Sequence, residues 1–218
     1  MSASAAVTKE REMPLSHTFD TLILASTSSA RRALVQSLGL PFAFEAPGVE
    51  EDVPPGTTVE NAVRMLARRK AEAVFRRHPR ALVVGSDQLV ELDGSALGKP
   101  ESAHAARAQL QSLSGRSHRI VTGVCVLAPG FEREWVELTR MQLFNLSAEE
   151  LDGYAATEEW RGCAGGYRVE GRGQALFSEI EGDRTNVQGL PMTSLVRVLR
   201  EAGVRFFATP SPVGDRQV

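Results

Sequence analysis

One stretch constrains this chain more than any other. Residues 22–32, LILASTSSARR, place an apolar strand, a small-residue turn and two arginines in immediate succession. Thr21 to Ala25 is β-prone and apolar on both faces, the pattern of a strand buried inside a sheet. Ser26, Thr27, Ser28 and Ser29 supply hydroxyls and N-cap candidates, and Ala30 to Leu38 reads as a helix stopped by Gly39. A helix that begins directly after a strand presents free N–H groups and the positive end of its dipole, which favour an anion. Arg31 and Arg32 add two planar forks that match phosphate oxygens. A capped helix with two solvated arginines accounts for the same residues, so this segment alone leaves both readings open.

Charge narrows the partners. With 25 Lys and Arg against 27 Asp and Glu, the net charge is −2, which leaves no basic excess to displace counterions from nucleic acid. Any positive field must therefore be local, as it would be around a phosphate. No apolar run reaches the ~18 residues of a membrane span, and residues 1–18 lack the apolar centre of a secretory leader. Cys125 and Cys163 are the two cysteines. Without a CxxC or Cys/His cluster they argue against zinc and for a reducing, cytoplasmic setting. The expected organisation is a polar, disordered tail over 1–18, one folded domain over 19–207 and a second tail over 208–218.

Between the tails, strand and helix signals alternate. Pro41–Phe44 reads as a short strand and Pro47–Thr57 as an acidic loop carrying Glu50, Glu51 and Asp52. Val59 to Arg77 has helical periodicity, with Ala62, Val63, Leu66, Ala67, Ala71 and Val74 on one face. Ala81 to Gly85 is a second buried strand, ending at Ser86-Asp87-Gln88, and Val90–Leu97 is a hairpin turning on Asp93-Gly94. Further on come a helix over Ser102–Ser112 and strands over His118–Leu127 and Glu134–Leu146. Ser147–Thr157 reads as a helix with a capping box from Ser147 to Glu150. A glycine-rich stretch over 162–173 precedes a strand over Gln174–Ile180, a loop over Glu181–Pro191 and a final helix ending near Ala202. The alternation is not strictly βαβ, which predicts an α/β fold with a mixed, twisted sheet.

Asp87 is the sharpest candidate for chemistry. It closes an apolar run and so belongs at the carboxyl edge of a sheet, where open α/β folds place ligands. A carboxylate there can hold a divalent cation or take a proton from water; a loop-capping aspartate is the plain alternative. Lys99, in the turn Gly98-Lys99-Pro100, is compatible with a phosphate contact. Lys70 lies beside Arg68 and Arg69, where a charged solvent face is the simpler explanation, and Glu51 sits in a loop that is ordinarily just solvated. Neither a Walker motif nor GxGxxG is present, so standard NTPase and dinucleotide folds lose support.

Taken in order, LILASTSSARR, Val49-Glu50-Glu51, residues 65–71, VGSDQ, GKP, SGRSHRIVTGV, CAGGYRVEG and EGDRTNVQGLP resemble the Maf family of nucleoside-triphosphate pyrophosphatases, from about Leu22 to Gly203. The resemblance implies an inosine-triphosphatase-like fold, a mixed sheet in two lobes with a central cleft. It also implies cleavage of a nucleoside triphosphate to the monophosphate and pyrophosphate, with a divalent metal cation, Mg²⁺ or Mn²⁺, as cofactor. Carried over by position, Asp87 is the proton acceptor, with Lys70 and Lys99 beside it. Ser26, Arg31 and Arg32 surround the phosphates, and Glu51 joins Asp87 on the metal. Gln88, Cys163 and Glu170 resemble the branch that acts on 7-methyl-GTP; the dTTP/UTP branch usually has Asp-Thr at 87–88 and Gln-Gly at 170–171.

A carboxylate at Glu170 can accept from both N1–H and N2–H of guanine, whereas uracil and thymine offer one donor flanked by acceptors. Two features lean the other way: Ala30 stands where the methylguanine branch often has an aromatic, and residues 183–187 resemble the dTTP/UTP branch. A rival from another class is a non-catalytic, nucleotide-binding regulator of cell division, which would not need a general base. The expected partner is the nucleoside triphosphate, with no nucleic acid or membrane, and a homodimer is left open.

Overall fold

The apolar residues at 21–25 form a strand, β1 (Thr21–Ala25), and the rest of the chain is organised around where it stops. The computed structural model describes residues 19–207; the tails expected at 1–18 and 208–218 lie outside the described residues. β1 runs parallel to β2 (Phe42–Glu45) on one side and to β3 (Ala81–Leu92) on the other, with Leu22 opposite both Phe42 and Leu82. The sequence predicts that β3 ends at Gly85. It instead continues to Leu92, because its other edge stays paired with β5 (Ser117–Ala128) from Val83↔Leu127 to Glu91↔Arg119. The polar run Ser86-Asp87-Gln88 therefore marks a loss of pairing on one edge only. On that edge β1 pairs through Gly85, and β4 (Ser95–Leu97) pairs from Val90 onward. Residues 86–89 are left between them with no strand alongside.

The hairpin joining β3 to β4 turns as expected, with Asp93 at φ 50° and Gly94 at φ 79°, both in the left-handed region that a tight two-residue turn requires. β6 (Phe131–Leu143) pairs antiparallel with β5, and β7 (Phe177–Glu181) with β6, giving among the described residues a seven-stranded mixed sheet in the order β2-β1-β3-β5-β6-β7, with β4 paired to β3 off that path. β6 begins at Phe131 rather than Glu134, since Ala128 pairs with Phe131 across a tight turn. Residues 174–176, predicted as the start of a strand, belong instead to a 3₁₀ turn over Arg172–Leu176. The chain packs closely there: a Cβ on Gly173 would lie 2.4 Å from the Arg168 carbonyl oxygen.

Among the described residues six α-helices complete the fold: α1 (Ser29–Gln36), α2 (Val59–Arg77), α3 (Ala103–Leu113), α4 (Ala148–Ala155), α5 (Arg184–Val187) and α6 (Met192–Glu201). Ser28 caps α1, and the capping box Ser147–Glu150 opens α4 as its spacing predicts. α5 lies inside the segment read as a loop; the Asp183 side chain caps it by accepting from the Thr185 N–H at 2.8 Å. Of the four apolar clusters among the described residues, two lie beneath α2 and the other two sit at the two ends of the long strands. One gathers Leu24, Val84, Val126, Leu195 and Leu199 near β1. The other gathers Leu110, Ile120, Met141, Trp160 and Phe177 near the β3–β4 hairpin. Among the described residues no helix is long and apolar enough to cross a membrane.

The seating of α2 matters most for function. A Cβ on Gly85 would lie 2.4 Å from the Ala67 carbonyl oxygen, and one on Gly123 would lie 2.3 Å from that of Val63. The helix backbone thus rests directly on β3 and β5, an approach that only glycine permits. Side chains alternate along a strand, so Asp87 leaves the same face as Gly85, two residues earlier. Lys70, about one helical turn beyond Ala67, comes down onto it.

Candidate active site

The gap along residues 86–89 opens into a cleft of about 1040 Å³ between the two apolar clusters at the strand ends. Its near wall is the turn 26–31 and the start of α1. Its far wall comes from Gly98, Lys99 and the segment 161–170. Ser26, Ala30, Arg31, Glu51, Lys70, Asp87, Gln88, Lys99, Cys163 and Glu170 all line it. Arg32 does not. Successive helix residues point about 100° apart, so only one of the twin arginines can face the cleft. Arg32 instead donates to the Ser26 carbonyl oxygen at 3.3 Å and lies 5.3 Å over the Phe44 ring.

At the centre, Lys70 is 6% exposed rather than part of a solvated face. Its Nζ sits 2.6 Å from Asp87 Oδ1 and 2.5 Å from Glu51 Oε1. A hydrogen bond from Lys70 holds the Glu51 carboxyl below the usual carboxylate range, and the charges of Lys70, Lys99 and Arg31 reinforce this against partial burial. Burial pulls the Arg31 guanidinium below its ordinary value, while Asp87 and Glu51 oppose that pull. Three cations from three separate elements therefore converge with two carboxylates in one cleft, beside a helix N-terminus. Ser26 Oγ accepts from the Ser28 N–H at 3.1 Å, which leaves its own hydroxyl proton to donate.

No group of three or more His, Cys, Asp or Glu side chains among the described residues is arranged as a complete metal cage. Asp87 and Glu51 nonetheless offer two hard oxygen donors around one point. Such a pair fits a small divalent cation that completes its shell with water and substrate phosphates.

The back of the cleft is closed by residues that the sequence did not single out. Arg31 Nε donates to the Gly189 carbonyl oxygen at 2.8 Å, and Nη1 to that of Ser86 at 3.0 Å. Ser86 Oγ donates to the same Gly189 oxygen at 2.9 Å, across 103 residues of sequence. Gln88 Nε2 donates to the Asn186 and Val187 carbonyls and to Thr122 Oγ1. Those partners fix the orientation of the Gln88 amide, so its free oxygen is an acceptor. Glu170, exposed on the opposite wall, is a second acceptor. The segments VGSDQ and EGDRTNVQGLP contain Ser86, Gln88, Asn186, Val187 and Gly189, but no local spacing reveals that they touch.

The family model described as Maf-like protein matches residues 21–202. The chain is similar to a 7-methyl-GTP pyrophosphatase from Xanthomonas campestris pv. campestris (strain 8004), 45% identical over 184 residues that cover 84% of this chain and 96% of the relative. It is also similar to a dTTP/UTP pyrophosphatase from Geobacillus sp. (strain WCH70), 38% identical over 182 residues, 84% of this chain and 98% of the relative. Among solved structures, a HAM1 protein from Coxiella burnetii matches with a TM-score of 0.48 at 16% identity, over 83% of this chain and 98% of that one.

Proposed function

The chain belongs to the Maf family, and from that premise we propose that its cleft takes 7-methyl-GTP and releases pyrophosphate. It is a nucleoside-triphosphate pyrophosphatase. The observation that carries the catalytic reading is the buried contact of Lys70 with Asp87, 2.6 Å long, at the floor of a cleft with Arg31 and Lys99 on its walls. Phosphoryl transfer requires placement and charge neutralisation more than covalent chemistry. Arg31, Lys99 and the N–H groups at the start of α1 hold the triphosphate, and the Ser26 hydroxyl donates to it.

Asp87 is the general base. Lys70 holds one carboxylate oxygen, and the other has no hydrogen-bond partner among the described residues. That second oxygen takes a proton from the water that attacks the α-phosphorus; the bond to the bridging oxygen breaks and pyrophosphate leaves. Mg²⁺ or Mn²⁺, held by Asp87 and Glu51, would neutralise charge on the triphosphate when bound. Lys70 keeps the two carboxylates together before substrate arrives.

Gln88 and Glu170 support a guanine edge, because both present acceptors and guanine presents N1–H and N2–H donors. The cationic 7-methylated ring is also attracted by the Glu170 carboxylate. One observation favours dTTP or UTP instead: Ala30 lines the cleft where a stacking ring would sit, and the Tyr167 ring there is only 5% exposed. Competition kinetics over 7-methyl-GTP, GTP, dTTP, UTP and CTP test the reading. Preference for 7-methyl-GTP, weakened by about 1–3 kcal/mol in Glu170→Gln, is expected from one mispaired polar group. Equal or higher kcat/KM for dTTP and UTP in the wild type would overturn the choice of base.

A further inference from the structure

The loop between β2 and α2 carries Glu51 but contains little to hold it in place. From Pro47 to Val53 its backbone makes no hydrogen bond to other backbone among the described residues, and the Glu51 side chain is 64% exposed. What holds the loop is α2. Arg77 Nη2 donates to the Ala46 carbonyl oxygen at 2.9 Å. Eight residues earlier on the helix, Arg69 Nη1 donates to the carbonyl oxygens of Glu50 at 2.7 Å and Asp52 at 3.0 Å. Those two carbonyls flank Glu51, whose carboxylate meets Lys70, the next residue of the helix, at 2.5 Å. One guanidinium nitrogen thus grips the backbone on both sides of the residue whose side chain is held by its neighbour.

We propose that Arg69 is a positioning residue, which clamps the 47–53 loop so that Glu51 stays within reach of Asp87 and of an incoming metal–triphosphate complex. This rests on the functional reading above. Arg69 is not among the residues that line the cleft, so it acts through Glu51 and not on substrate. Hydrogen bonds from a charged donor are about twice as strong as neutral ones, and here two of them fix a loop that has no ladder or core of its own. Both bonds leave from a single nitrogen, so a lysine ammonium, with three donors, can replace them.

The test compares Arg69→Met and Arg69→Lys with the wild type. In Arg69→Met, proteolytic cleavage within residues 47–53 should accelerate, because an exposed loop released from the helix is more easily cut. The Mg²⁺ concentration for half-maximal activity and the KM should both rise about tenfold, reflecting the loss of two charged hydrogen bonds, with kcat changed by less than about twofold. Mn²⁺ binding, followed by electron paramagnetic resonance with a non-hydrolysable α,β-methylene triphosphate, should weaken by the same factor. Arg69→Lys should recover most of each loss. In a Glu51→Gln background, Arg69→Met should cost nothing further, because the clamp then positions nothing. Unchanged cleavage of the loop, or losses that add fully in the double variant, would overturn the proposal. If the wild type hydrolysed no triphosphate, the functional reading would fall, and the cleavage measurement alone would decide whether the clamp exists.

Discussion

Changing Asp87 to asparagine should stop pyrophosphate release while leaving the fold standing, and the geometry around Lys70 separates the two effects. Asparagine is nearly isosteric and can still accept from Lys70 Nζ, which sits 2.6 Å from Asp87 Oδ1. Deleting one partner of a buried ion pair costs about 3–5 kcal/mol when the other charge is left uncompensated. Lys70 is not left so, because Glu51 remains 2.5 Å away. The loss of stability should therefore be about 1 kcal/mol, the difference between a charged and a neutral acceptor, or a fall in Tm of about 2–4 °C for a chain of this size. The chemistry suffers more. Removing a general base typically costs about 10²–10⁴ in rate, which is about 3–5 kcal/mol of barrier. Pyrophosphate release at saturating 7-methyl-GTP, measured beside thermal unfolding of the same sample, reads both numbers. A folded Asp87→Asn protein that turns over within tenfold of the wild type would refute the role of Asp87. A collapse in Tm far beyond the stated range would refute compensation by Glu51.

Gly85→Ala places a Cβ 2.4 Å from the Ala67 carbonyl oxygen, so α2 must lift; a loss of about 1–3 kcal/mol is expected from overpacking, together with lower activity as Lys70 moves off Asp87, and an unchanged Tm would contradict the close seating. His118 is 2% exposed, its Nε2 lies 2.6 Å from the Tyr167 hydroxyl, and burial pushes its imidazole from 6.5 down to about 4. Because the folded pKa lies below the unfolded one, the unfolded chain takes up the proton first. The stabilising contribution is intact above pH ~6.5 and lost as pH falls toward 4, about 3 kcal/mol in all. His118→Gln should remove that part of the pH dependence, and urea melts showing equal slopes for both proteins would exclude it. Excess EDTA should abolish hydrolysis, with recovery on Mg²⁺ or Mn²⁺ addition, and Mn²⁺ should bind the ligand-free protein more weakly in Glu51→Gln; full turnover in chelator would remove the metal from the reading.

How much of this was legible in the chain depends on the range of the forces involved. The strand at 21–25, the Ser28 cap, the apolar face of α2, the Asp93-Gly94 turn and the capping box at Ser147–Glu150 all follow from the sequence, because each rests on contacts among residues a few positions apart. The residues that line the cleft were also readable as types in order, through the family resemblance. What the sequence could not say is which of them face one another. β3 continues past Gly85 because β5, more than thirty residues later, supplies its hydrogen bonds. Of the twin arginines, Arg31 turns into the cleft and Arg32 against Phe44, which depends on how α1 is rolled against the sheet. Lys70 sits in a run of three basic residues that reads as a solvated face. It is buried only because two glycines, Gly85 and Gly123, let a helix backbone settle directly onto two strands. Local patterning determined the elements and the inventory of charges. The close approach of α2 to the sheet, a property of surfaces distant in sequence, decided which charges became a site.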